Sequence, residues 1–391
     1  MNWPGIWHLG TRYIRRNRTK TILLTAAFTL VWLLPTTVAR VVSLAEKHLR
    51  SRAADTPLII GRTGSPLELV FNGLYFTRPE ITTFPYREAT ELDDDVSAIP
   101  IYARYSAQEN RIVGTTIDYF RFRNIDFAEG RSFIRMGECV LGAKVAEAND
   151  ITVGDSVISS PGSMFDLAGV YPLKMNVCGI MAPTGSPDDN AIFVDLKTTW
   201  IIEGLGHGHE EADKVSEDQI LPGSEDGKIK LNASVVNFNE VTAENAADFH
   251  FHGDQGDFPI SSAIVITDNA KSQALLKGSY LSRTDMQIIS PAVEMDELFD
   301  TVFRIQQVVT GILFLIGIAT LAIGFLVFIL SYRLRIREFQ NLSNMGADPL
   351  FLKLLIGFEA IFVLIASLVG AGLLLLMLNA VAPVLIRAFL S

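Results

Sequence analysis

Two long apolar segments near the C-terminus, residues 305–332 and 350–377, commit this chain to a membrane, because each exceeds the roughly 20 apolar residues that a helix needs to cross a bilayer. Between them lies a basic loop, residues 333–349. Arg333, Arg335 and Arg337 at its start place it on the cytoplasmic side, where Lys and Arg are in excess. Leu334, Ile336, Phe339, Leu342 and Met345 recur at helical spacing, and Gly346 with Pro349 closes the run. The loop is therefore expected to be a short amphipathic helix that faces something cytosolic.

The N-terminus repeats the pattern. Arg12, Arg15, Arg16, Arg18 and Lys20 come without an acid, and an apolar run from Thr21 to Val42, broken by Pro35, follows. A signal peptide has the same order of charge and apolarity, but this run is too long for one and lacks a small-x-small cleavage site, so an uncleaved anchor with a cytoplasmic start is expected. Of the 33 basic and 43 acidic residues, 1–40 hold six basic and no acidic ones and 304–391 hold six basic and three acidic, which leaves 21 basic and 40 acidic between them. An external region this acidic argues against nucleic acid as a partner and suits solubility or cationic ligands.

That region reads as an α+β domain on an α-helical membrane domain, with three transmembrane helices and helical stalk extensions at 44–54 and 291–307. Short β-like runs are expected at 58–60, 112–114, 140–141, 156–159, 175–181, 192–194, 233–238 and 262–267, and helices at 121–125, 143–148 and 269–278. The boundaries that follow are a basic N-terminus at 1–20, spans at 21–42 and 304–332, stalk and external domain at 43–303, the loop at 333–349, and a third span with a tail at 350–391. Cys139 and Cys178, the only cysteines, lie in apolar strand-like runs and are read as buried free thiols; two thiols alone do not establish a disulfide.

The loop signature, Arg337-Glu338 with Met345-Gly346-Ala347 followed by a span containing Glu359, resembles the permease domain shared by MacB and FtsX, the type VII ABC transporters. Thr116-Ile-Asp-Tyr-Phe120, Glu129-Gly-Arg131, Glu138 to Ala146, Val153-Gly-Asp155 and Val177-Cys-Gly-Ile180 follow in the order of the MacB-type periplasmic core domain. Gly130, Gly142 and Gly154 are read within it as turn or close-packing glycines. The resemblance implies a bacterial inner-membrane permease. Its Arg333, Arg335, Arg337, Glu338, Phe339, Leu342, Met345 and Gly346 would serve coupling to a separate P-loop ATPase carrying ATP-Mg. A second permease copy or paralogue and a periplasmic adaptor or binding protein are the further partners implied, and the implied action is mechanotransmission to the external domain. An FtsX-like regulator of an envelope partner is the related alternative.

Nothing in the chain reads as an enzyme: there is no G-x-x-x-x-G-K-[ST], no nucleophile elbow and no H-E-x-x-H. Two H-x-H pairs, His207 with His209 and His250 with His252, stand apart from the family pattern. Alternate residues of a strand share a face, so Phe249 and Phe251 would turn inward while the two imidazoles project together, an arrangement that suits zinc, with Glu210, Glu211 and Asp254 as possible carboxylate ligands. This reading makes the chain a metal-handling component or receptor, against an ordinary strand with a polar face. Glu359 inside an apolar span is costly unless it meets a polar partner, and marks an interface. Residues 350–390 would span roughly 60 Å as one helix. One span ending near Leu378, then an apolar tail with Asn379 and Pro383, is expected over a hairpin at Gly370-Ala-Gly372, whose turn would leave backbone polar groups in lipid. Relatives of this plan usually have four spans, and three are expected here.

Overall fold

A computed structural model of the protein describes residues 3–77, 82–160, 172–208, 239–242, 244–246, 248–346 and 349–389. The chain divides into two units, Met1–Lys47 with Leu298–Leu390, and His48–Glu297. The strand expected at 233–238 and His209 lie outside the described residues.

The first unit is helical. A helix over Trp3–Arg16 precedes the first long helix, Arg18–Ala54; the second long helix is Pro291–Leu334, the loop helix Ile336–Asn344, and the third long helix Pro349–Phe389. Three helices among the described residues are long and apolar enough to cross a membrane. Both stalk segments are helical and continuous with their long helices. The third helix runs on through Asn379 and Pro383 to Phe389, and the stretch of it that is long and apolar enough to cross a membrane is Gly357–Ala380, close to the single span expected to end near Leu378. An apolar helix satisfies its own backbone and tolerates proline, as the first long helix does at Pro35; Asn379 Oδ1, moreover, accepts from Arg40 Nε at 3.0 Å.

The second unit is α+β, built on two main sheets. Leu58–Arg62 lies inside a four-stranded antiparallel sheet, between Met286–Ile289 and Ser262–Thr267, with Val96–Ile101 beyond the latter at the edge. Pro100 is acceptable there because an edge position spares the ladder a missing N–H. The larger sheet is mixed. Leu173–Met181 pairs parallel with Glu138–Leu141 and antiparallel with Ser156–Ile158, and Ala191–Asp195 runs parallel to Asn110–Thr115. Leu173, Met175, Val177, Gly179 and Met181 are buried while the alternate residues between them are partly or fully exposed, as a half-buried strand requires. Gly142 has no room for a side chain: a Cβ there would meet the Asp188 carbonyl oxygen at 2.3 Å. The helix expected at 121–125 sits earlier, at Asp118–Phe122, because Asn124 takes a left-handed φ of 50° that ends it. Cys139 is buried and Cys178 half-buried; both are free, and the Cys178 thiol, pushed up to about 11 by burial, donates to the Cys139 carbonyl oxygen.

Candidate functional site

The loop helix begins at Arg335, whose guanidinium lies 3.8 Å from the ring centre of Tyr13 and 4.8 Å from that of Phe339, with its Nε donating to Glu338 Oε2 at 3.1 Å. Phe339 is the side chain that turns inward: it is buried and stacks on Tyr332 at 5.8 Å. Arg337, Glu338 and Met345 are exposed, as is Arg333, and Gly346 takes a left-handed φ of 94° just past the helix. The expected coupling residues thus divide. Arg335 and Phe339 hold the helix to its own chain, and Arg337, Glu338 and Met345 form the available face. Leu342 lies on the same helix.

Behind this helix, Lys20 makes a close ion pair with Glu359, which is buried. The Lys20 ammonium also donates to Ser331 Oγ at 3.0 Å and to Tyr13 Oη at 3.4 Å, and Tyr13 and Ser331 share a 2.9 Å hydrogen bond. One polar cluster therefore joins the N-terminal helix and all three long helices. In an apolar surround such a charge persists only when paired, and this pairing supplies the polar partner that Glu359 was expected to need. Beyond Glu359, the cluster was not found from sequence, although Lys20 at the start of one apolar run and Glu359 near the start of another were the available signal.

A second cluster fixes the end of the first long helix within the external unit. Arg52, in its last turn, donates Nη1 to Asp188 Oδ2 at 2.8 Å and Nη2 to Asp188 Oδ1 at 2.7 Å, both groups being almost fully buried. Its Nε donates to the Leu74 carbonyl at 2.6 Å and its Nη2 to Tyr119 Oη at 2.7 Å, while Tyr119 donates to Asp188 Oδ1 at 2.7 Å. Burial alone would push the Asp188 carboxyl up; the charge and hydrogen bonds of Arg52, with that of Tyr119, hold it below its ordinary value. The planar guanidinium fork matches the carboxylate in a way that lysine cannot. A second arginine of the stalk, Arg50, pairs with Asp296 of the second long helix at 3.1 Å.

Of the histidines, His250 and His252 have rings 4.8 Å apart, and the strand Phe249–Phe251 pairs with Gly206–Gly208 so that His207 lies opposite His250. Among the described residues no group of three His, Cys, Asp or Glu side chains is arranged to hold a metal.

The MacB-like periplasmic core domain family matches residues 41–249, more than half of the 391-residue chain. The chain belongs to that family. This MacB-like ABC transporter permease chain carries Arg52, Tyr119 and Asp188 inside the matched span, and the loop helix, Glu359, His250 and His252 outside it. Among solved structures, the periplasmic region of MacB from Actinobacillus actinomycetemcomitans is 13% identical and aligns over 62% of this chain and 92% of that one, with a TM-score of 0.34. The extracellular domain of the noncanonic ABC-type transporter YknZ from Gram-positive bacteria is 12% identical over 59% and 98%, with a TM-score of 0.32. A permease-protein domain from Porphyromonas gingivalis is 9% identical over 60% and 86%, with a TM-score of 0.27. No curated protein matches the sequence. Permeases of this family are typically non-catalytic and work with ABC ATPase partners.

Proposed function

We propose that this chain is the permease subunit through which ATP hydrolysis by a separate P-loop ATPase moves an external domain on the far side of a bacterial inner membrane, with the N-terminus and loop helix cytoplasmic. The observation that carries the reading is the clamped loop helix. Its inward side is fixed by Phe339 on Tyr332 and by Arg335 on Tyr13, while Arg337, Glu338 and Met345 stay exposed. A push on that exposed face has a packed route to the Lys20–Glu359 cluster and hence to every long helix of the unit. Packed helices with discrete arrangements transmit displacement in this way.

Within the external unit, the last turn of the first long helix is held by the pairing of Arg52 with Asp188. The substrate is handled at the external face, and the spans pair with a second permease copy or a paralogue. The test is co-purification with the P-loop ATPase, followed by parallel assays of hydrolysis and transport. Arg337→Ala/Glu338→Ala is expected to hydrolyse ATP without driving transport while the external domain stays folded. Coupling equal to that of the wild type rejects the assignment.

A further inference from the structure

The N-terminal helix, Trp3–Arg16, has one face packed and the opposite face bare. Ile6 and Gly10 are buried; a Cβ at Gly10 would collide with the Phe358 ring of the third long helix, and the Trp7 ring meets that of Phe358 edge-on at 5.5 Å. Tyr13 continues this face and bonds to Ser331 of the second long helix. At about 100° per residue, Arg12, Arg15 and Arg16 fall on the other side of the helix. All three are exposed, as is Arg18 just past the break at Asn17. No acid precedes Glu46 in the sequence, and none of the four arginines meets a carboxylate among the described residues. Trp7 and Leu9, at the two borders between the packed and the basic face, are also exposed.

The same contacts set the depth of this helix. Phe358 is the second residue of Gly357–Ala380, the stretch of the third long helix that is long and apolar enough to cross a membrane, and Ser331 lies in the last turn of the second long helix. A helix tied to these points lies where hydrocarbon gives way to headgroups. We infer that Trp3–Arg16 is a docking surface for anionic phospholipid of the adjoining leaflet, with Arg12, Arg15, Arg16 and Arg18 as the groups that hold its phosphates. Each guanidinium offers a fixed fork of donors that matches phosphate oxygens, and its long stem carries the charge outward along the boundary. A cluster of four or more basic residues beside a span is the arrangement that gathers acidic lipid. An acidic protein surface would satisfy the arginines equally well, but it would leave Trp7 and Leu9 uncovered. Lipid covers both, with headgroup on the arginines and acyl chain on the tryptophan and leucine, as an amphipathic interfacial helix requires. The docking needs this helix at a bilayer surface and depends neither on ATPase coupling nor on which leaflet it meets.

The test uses the full-length chain in neutral detergent, stripped of endogenous lipid and titrated with dioleoylphosphatidylglycerol or dioleoylphosphatidylcholine, with lipid bound per chain read by native mass spectrometry. The wild type is expected to take up phosphatidylglycerol in preference to phosphatidylcholine, and added salt should weaken that preference. Arg12→Gln/Arg15→Gln/Arg16→Gln/Arg18→Gln should weaken phosphatidylglycerol binding by more than about tenfold, since one basic group at an acidic lipid surface contributes about fivefold. The same four positions changed to lysine should keep most of it. Arg62→Gln/Arg121→Gln/Arg135→Gln/Lys271→Gln removes as much charge from exposed positions of the external unit and should leave the preference unchanged. Glutamine is close to arginine as a helix former, so thermal melts of the variants should coincide with that of the wild type. Equal, salt-insensitive binding of the two lipids by the wild type overturns the site and leaves the arginines to an acidic protein surface. Full phosphatidylglycerol binding by the quadruple glutamine variant overturns it as well, as does an equal loss in the external control.

Discussion

Replacing Arg52 by methionine tests whether the stalk is held to the external domain by charge. Arg52→Met removes the two guanidinium bonds to Asp188 and those to Leu74 and Tyr119, and leaves a carboxylate about 2% exposed with the hydrogen bonds of Tyr119 and Ser186 and the more distant charge of Arg123. Removing one partner of a buried pair costs about 3–5 kcal/mol, because the remaining charge is stranded. At about 2–4 °C per kcal/mol for a domain of this size, the external unit should melt some ~6–20 °C lower. The exposed Arg131 pairing with Glu138 is the contrast: with the Arg131 side chain 49% exposed, its loss should cost no more than about 1 kcal/mol. The assay is thermal unfolding of the full-length chain in detergent, followed by the fluorescence of Trp200, which is buried in the external core. Arg52→Met/Asp188→Leu should recover part of the loss by removing both charges, and not all of it, because Leu74 and Tyr119 still lose a partner. A single Arg52→Met variant that melts within 2 °C of the wild type, about 1 kcal/mol or less on the same scale, would refute the reasoning.

Two further outcomes follow from the same chemistry. Lys20→Met or Glu359→Gln alone should destabilise the helical unit by about 3–5 kcal/mol, and Lys20→Met/Glu359→Met should restore most of it; detergent melts of the three variants check this, and singles as stable as the wild type contradict the cluster. Glu138, held down to about 2 first by its hydrogen bonds to Arg131 and then by the Ile134 and Arg135 amides, stabilises the fold when ionised. Its folded value lies below its ordinary one, so its contribution is present above pH 4.5 and is lost as the pH falls towards 2. Glu138→Gln should flatten the acid limb of the stability profile, and an unchanged limb would show that this carboxyl is not responsible.

The elements legible in the sequence were those with a strong local signal. The apolar runs, the loop helix and alternating strands such as Leu173–Met181 follow from periodicity alone. Pro66–Tyr75 was legible and overlooked: Ser65 caps it by accepting from the Glu68 amide, Pro66 sits in its first turn, and Ser-Pro-x-Glu is the pattern that such a start writes. Val96–Ile101 was obscured by Pro100, which only its edge position permits. The polar clusters were beyond local reading, since Arg52 meets Asp188 136 residues later and Tyr13 meets Ser331 318 residues later. Periodicity says which face a residue occupies, and partners so distant are set by topology. Phe339 illustrates the same limit within one helix, where its spacing marked it as part of an apolar face and only packing assigned that face to Tyr332 and Arg335.

The central claim is that the loop helix lies on the cytoplasmic side, within reach of an ATPase, while the external domain lies across the bilayer. Arg337→Cys, in a Cys139→Ala/Cys178→Ala background, places a single thiol on the exposed face of that helix for labelling with a membrane-impermeant maleimide in intact spheroplasts. Labelling is expected only after the inner membrane is permeabilised, whereas a thiol placed at the exposed Leu281 should react without it. Reaction of the Arg337→Cys thiol in intact spheroplasts would contradict the account.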